Sequence, residues 1–203
     1  MGWRILSLLL HPIWLPMASA FLLFGFNPFF LAHFNTTMAL RVVGSIGFAT
    51  AFVPGLLLLM MRSLGWVETL ELEQRSDRKF LLFAALVCQY FCFQMLRTSL
   101  PSSYLDLVLI GGLLLTGLSF LINLFFKISL HAVGWGGLTG MIMGFGPSHL
   151  NSFFPLLCGS ILLGGLVLSA RRALGAHRWV ELGLGYALGI GVFSAYFLYF
   201  YFD

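Results

Sequence analysis

The chain has 203 residues, of which 60% are hydrophobic and only 9% are charged, with a formal net charge of +4. Its mean hydropathy is +0.97, too apolar for a single water-soluble domain. A soluble globule and a basic nucleic-acid surface are both excluded in favour of a polytopic membrane protein.

Taken in order, the sequence divides into seven apolar runs, at about 11–33, 38–62, 80–98, 103–126, 130–147, 152–170 and 179–202. Each is continuous rather than alternating, and most are long enough to cross a bilayer as a helix, so a β-barrel is not expected. The predicted fold is an all-α polytopic transmembrane bundle of six to seven helices, forming one integral membrane domain over residues 1–203. The N-terminus, with one Arg, an apolar stretch and Ala18-Ser19-Ala20, faintly imitates a cleavable signal, but apolar sequence continues directly to Phe34, and it is expected to be retained as a first helix. His11, before Pro12, could line a headgroup pocket, although interfacial anchoring is the plainer role. Turn residues mark the tips at Asn35-Thr36-Thr37, Pro101-Ser102-Ser103 and Gly146-Pro147-Ser148. The fifth run is the least apolar and carries Gly134, Gly136, Gly137, Gly140 and Gly144, a stripe suited to close helix packing. Cys88, Cys92 and Cys158 fall inside apolar runs and read as small buried hydrophobes.

The charges gather in three islands. The first, Trp66 to Lys79, includes Arg75, Arg78 and Lys79; the second is Lys127-Ile128-Ser129-Leu130-His131; the third holds Arg171, Arg172, His177, Arg178 and Glu181. Because each run crosses the bilayer, two runs separate each island from the next. All three are therefore expected at one membrane face. His177 and Glu181 are four apart, the spacing that stacks side chains on a helix face. A carboxylate there can accept the imidazole Nδ1–H, fix the tautomer and leave Nε2 as a nucleophile or base. Guanidiniums beside it match phosphate oxygens. Two imidazoles, a hydroxyl and several cations suit phosphoryl transfer, in which positioning and charge stabilisation dominate.

The spacing Arg171-x5-His177-x3-Glu181-x3-Gly185-x3-Gly189 resembles the third signature of the PAP2 (type 2 phosphatidic acid phosphatase) superfamily, and Ser129-Leu130-His131 is similar to its second, Pro-Ser-Gly-His. The resemblance spans a PAP2-like core at about 75–189. It implies a metal-free, cofactor-free lipid phosphatase acting through a phosphohistidine. His177 would be the nucleophile, Glu181 its orienting carboxylate and His131 the acid for the leaving group. Ser129, Arg171, Arg75, Arg78 and Lys127 would hold phosphate oxygens. The chain departs from the family at Ile128, Leu130 and Glu181, where the pattern has Pro, Gly and Asp, and the first signature lacks its upstream Lys and its Pro. The implied substrate is a phosphorylated membrane lipid, polyprenyl or glycerolipid. The alternatives are an inactive PAP2-like subunit assembled with another membrane protein or a second copy, and a haem or ion-handling protein using the histidines. Nine of the eleven Lys and Arg residues lie toward the proposed active face, which the positive-inside tendency places in the cytoplasm of a bacterial inner membrane.

Overall fold

A computed structural model describes residues 2–67, 75–100 and 103–202, with side chains described outside 75–77, 147–148 and 201–202. Among the described residues the chain forms helices and turns and no strand. In order these are α1 (Gly2–Leu9), α2 (Leu15–Phe26), α3 (Pro28–His33), α4 (Thr36–Gly47), α5 (Val53–Ser63), α6 (Arg75–Ser99), α7 (Ser103–Phe125), α8 (Leu130–His149), α9 (Phe153–Ala173) and α10 (Trp179–Phe202). A 3₁₀ turn at Pro12–Trp14 joins α1 to α2, and a π-helical turn at Phe48–Phe52 joins α4 to α5.

Among the described residues, six helical stretches are long and apolar enough to cross a membrane: Gly2–Phe26, Thr36–Ser63, Arg78–Ser99, Ser103–Phe125, Phe153–Ala173 and Trp179–Phe200. The protein is an all-α integral membrane bundle. The first crossing differs from the expected run. It starts at Gly2 rather than near 11, and two X-Pro steps break the run into separate helices. A residue before proline is pushed out of the helical region, and both His11 (ψ 137°) and Asn27 (ψ 122°) are extended. Each then caps the piece that follows, His11 Nδ1 accepting the Ile13 N–H at 3.2 Å and Asn27 Oδ1 the Phe29 N–H at 3.0 Å.

α8 is not among the six apolar stretches, yet it runs through the middle of the bundle. Its regular part, from Leu130 to Phe145, rises about 24 Å before the kink at Gly146 (φ 62°), most of the depth of a hydrocarbon core. Just beyond its far end, the Asn151 N–H donates to the Phe26 carbonyl, at the bottom of α2. α8 sits at the centre, packed against α7, α9, α10 and α2, and nearly all of its side chains from His131 to Ile142 are buried. A helix that faces protein instead of lipid has no need of uniform apolarity, which explains why its sequence signal is the weakest.

Lipid tails are as apolar as the core, so helix association in a bilayer rests on close packing. The α8–α10 seam shows this most strongly. A Cβ at Gly140 would lie 2.8 Å from the Ile190 backbone, and one at Gly189 would overlap the backbone of Gly137 and Val133. A Cβ at Gly185 would come within 3.0 Å of the Ser129 carbonyl oxygen. Gly185 and Gly189 thus let the start of α10 lie directly on the start of α8.

Candidate active site

The end of α9 sets the site's geometry. Gly175, at φ 69°, takes the left-handed conformation that ends many helices. Its N–H donates to the Arg172 carbonyl at 3.0 Å and that of Ala176 to the Arg171 carbonyl at 3.2 Å, closing a Schellman turn. The chain reverses over residues 174–178. Arg171, in the last turn of α9, and His177, just ahead of α10, are thereby brought to the same end of the bundle.

His177 Nδ1 lies 2.7 Å from Glu181 Oε2. The pair forms, but not on a helix face as the spacing suggested: His177 is in the segment preceding α10, and Glu181, in the first turn, reaches back to it. A carboxylate there also faces the positive end of the helix dipole. Because a carboxylate only accepts, Nδ1 carries the hydrogen and Nε2 keeps its lone pair. His177 is 4% exposed. Burial holds its pKa well below the ordinary 6.5; the Glu181 hydrogen bond opposes that shift, and the nearby Arg78 and Arg171 charges reinforce it. The ring is neutral at pH 7.

The second island joins the third through the backbone. The Ser129 N–H donates to the Glu181 carbonyl at 3.4 Å, and Lys127 Nζ to the Ala176 carbonyl at 3.3 Å. Ser129 is fully buried and caps α8, its hydroxyl oxygen accepting the Ala132 N–H at 3.5 Å. The first island is tied in by Arg78 of α6, whose Nη1 donates to the Ile128 carbonyl at 3.1 Å. Arg75 begins α6, but its side chain lies outside the described residues.

His131 occupies the first turn of α8, its Nε2 3.3 Å from both the hydroxyl and the carbonyl oxygen of Ser7. The same hydroxyl accepts from Arg171 Nη1 at 3.2 Å. His11 meets His131 edge to face, with ring centroids 4.8 Å apart. His131 lies within electrostatic reach of His11, Arg171 and His177. Both guanidiniums are buried, Arg171 at 3% and Arg78 at 4% exposure. The structure therefore gathers His177, Glu181, His131, Arg171, Arg78, Ser129 and Lys127 at one end of the bundle.

Sequence reasoning missed Ser7 and gave His11 a plainer role. Both come from outside the 75–189 core, carried in by α1 and the 3₁₀ turn. Ser7 left no signal, being one hydroxyl in an apolar helix. His11 did, in the proline after it, which forces the break that turns the imidazole inward. Among the described residues, no group of three or more His, Cys, Asp or Glu side chains gathers to hold a metal ion.

No protein-family model, curated protein or solved structure matches the chain. The functional reading rests on the site's own chemistry.

Proposed function

We propose that the chain is a membrane lipid phosphatase, hydrolysing a phosphate monoester or diphosphate of a lipid in the manner the PAP2 resemblance implies. The observation that carries this is the His177–Glu181 hydrogen bond at 2.7 Å beside two buried guanidiniums, Arg171 and Arg78. Nε2 of His177 attacks phosphorus as the bond to the leaving oxygen breaks, giving a phosphohistidine. A phosphate bound between Arg171 and His131 offsets the guanidinium charge and lets the ring take up a proton, which it gives to that oxygen. Water then attacks the phosphohistidine and returns a proton to His131, releasing inorganic phosphate and restoring both rings. Arg171 and Arg78 offset the charge on the equatorial oxygens, and the N–H groups at the start of α8 add to that field. Lys127, bonded to the Ala176 carbonyl, holds the loop that carries His177. The excess of cations at this end supports placing the site on the cytoplasmic side of a bacterial inner membrane.

The test is phosphate release by the purified protein from polyprenyl and diacylglycerol phosphates and diphosphates. Release by the wild type that is lost in His177→Ala supports the reading; equal release by both removes it. A second reading, a non-catalytic membrane subunit with the same architecture, is favoured by closure of the site. The Ser7 hydroxyl sits between Arg171 and His131, and the Ser129 oxygen is engaged in capping α8. Co-purification with a stable membrane partner, without phosphate release from any of these lipids, would select it.

A further inference from the structure

A narrow cavity of about 210 Å³ runs down the bundle interior from the polar cluster. His11 and Arg78 stand at its mouth, and Cys92, Gly112 and Phe193 line its deep end. Along α6, the 14-residue separation from Arg78 to Cys92 spans about 21 Å at the helical rise, some two thirds of a hydrocarbon core. Dividing about 210 Å³ by that length leaves roughly 10 Å² for the centres of an occupant's atoms. That admits the atoms of one hydrocarbon chain and not of two side by side.

Three of the hydroxyls on its wall are turned away from it. Thr50 donates to the Ile46 carbonyl at 2.8 Å, Ser119 to the Leu115 carbonyl at 2.7 Å and Thr116 to Gln89 Oε1 at 3.0 Å. Each hydroxyl hydrogen is turned back into the protein, leaving methyl and methylene groups for an occupant. Leu130, which departs from the family pattern, forms part of this wall.

We infer that the cavity is a binding slot for one hydrocarbon chain of a phosphorylated amphiphile, its phosphate at the Arg78 end, so that single-chain lipids are taken in preference to double-chain ones. This rests on the phosphatase reading only for the fate of the phosphate; occupancy of the slot is measured separately. A cationic mouth at the membrane surface, continuous with a chain-wide apolar bore, matches such a ligand at both ends. A second chain would find no room and would have to remain in the bilayer.

Gly112 supplies the test. It lines the slot, and a Cβ placed there meets no atom within 4 Å. Gly112→Phe should therefore project from open space into the deep end, and Gly112→Ala is the milder control for folding. The probes are octylphosphonate, hexadecylphosphonate and a double-chain dihexadecylglycerol phosphonate, none of which can be hydrolysed at the P–C bond. Retention on the detergent-purified protein is read by native mass spectrometry, with melting temperature as the folding control. The wild type should hold hexadecylphosphonate at least about tenfold better than the double-chain probe. Gly112→Phe should abolish that preference and leave octylphosphonate unchanged, with Gly112→Ala intermediate. Equal retention of the double-chain probe, or unchanged hexadecyl retention in folded Gly112→Phe and Gly112→Ala, overturns the slot. A protein that fills the slot yet releases no phosphate from a single-chain phosphate removes the phosphatase reading and keeps the slot. Turnover indifferent to Gly112 does the reverse.

Discussion

His177 is the residue on which the proposed chemistry turns. Its substitution by Ala should remove phosphate release altogether. Glu181→Gln, which keeps the shape but can present an N–H to Nδ1, should lower kcat by on the order of 10²–10⁴. A loss under threefold in Glu181→Gln, by steady-state phosphate release, would deny the carboxylate its orienting role. The pH dependence follows from the same ring. Its pKa in the folded protein lies below 6.5, so Nε2 stays unprotonated on the acid side of that value. The acid limb of kcat/KM should therefore fall below pH 6.5; a limb at or above 6.5 contradicts the buried site. Stability has the same sign. The unfolded chain takes up this proton near 6.5 and the folded one does not, so the ring's contribution is full above 6.5 and is lost as pH falls from there toward the lower folded value. The melting temperature of the wild type should drop more between pH 7 and pH 5 than that of His177→Gln. At this scale the His177–Glu181 partnership was legible from a spacing of four, although a turn and a helix start bring it about rather than two helical turns. The Ser7–Arg171 contact was not legible. It joins residues 164 positions apart, and nothing in either neighbourhood encodes the other.

At the scale of elements, the α8–α10 seam fixes the distance between the Ser129–His131 and His177–Glu181 segments. Gly189→Leu drives a side chain into the backbone of α8, where no rotamer can relieve it. It should destabilise the bundle by about 1–3 kcal/mol, read as a lower melting temperature in detergent, and should reduce phosphate release although the position lies two helical turns from Glu181. A variant with wild-type melting and turnover would show the seam to be slack. The same change at Gly112, with open space before it, should leave the melting temperature near the wild-type value. Glycine spacing in the sequence announced close packing, but not which helix would be the partner. Hydropathy found the crossings because lipid-facing surface must be apolar along its length. It passed over the breaks at His11 and Asn27 because an average over about twenty residues smooths out a single proline.

For the whole molecule, the path of the chain makes a statement about sides. Among the described residues six stretches are apolar enough to cross; with kinked α8 counted as a seventh, the loops holding Gly65 and Gly175 are expected on one face and the tips at Asn35 and Asn151 on the other. Single cysteines placed at Gly65, Gly175, Asn35 and Asn151 in a background lacking Cys88, Cys92 and Cys158 should react with a membrane-impermeant maleimide in two matched pairs. Labelling of positions 65 and 175 from opposite sides would break the seven-crossing topology. The islands were readable as neighbours from parity alone, since an even number of crossings separates them. How tightly they join was not readable, because main-chain carbonyls of Ile128, Ala176 and Glu181 make the links and carry no side-chain signature. The π-helical turn at Phe48–Phe52 has a consequence of its own. A wide turn of this kind holds one residue more than a regular helix would place there. Deleting a single amino acid between 48 and 52 should thus be absorbed as ordinary helix, with α4 and α5 keeping the faces they present. Pro54 would keep its place on the inner wall, and a shortened but intact protein would present the same lining beyond the cut to whatever it holds.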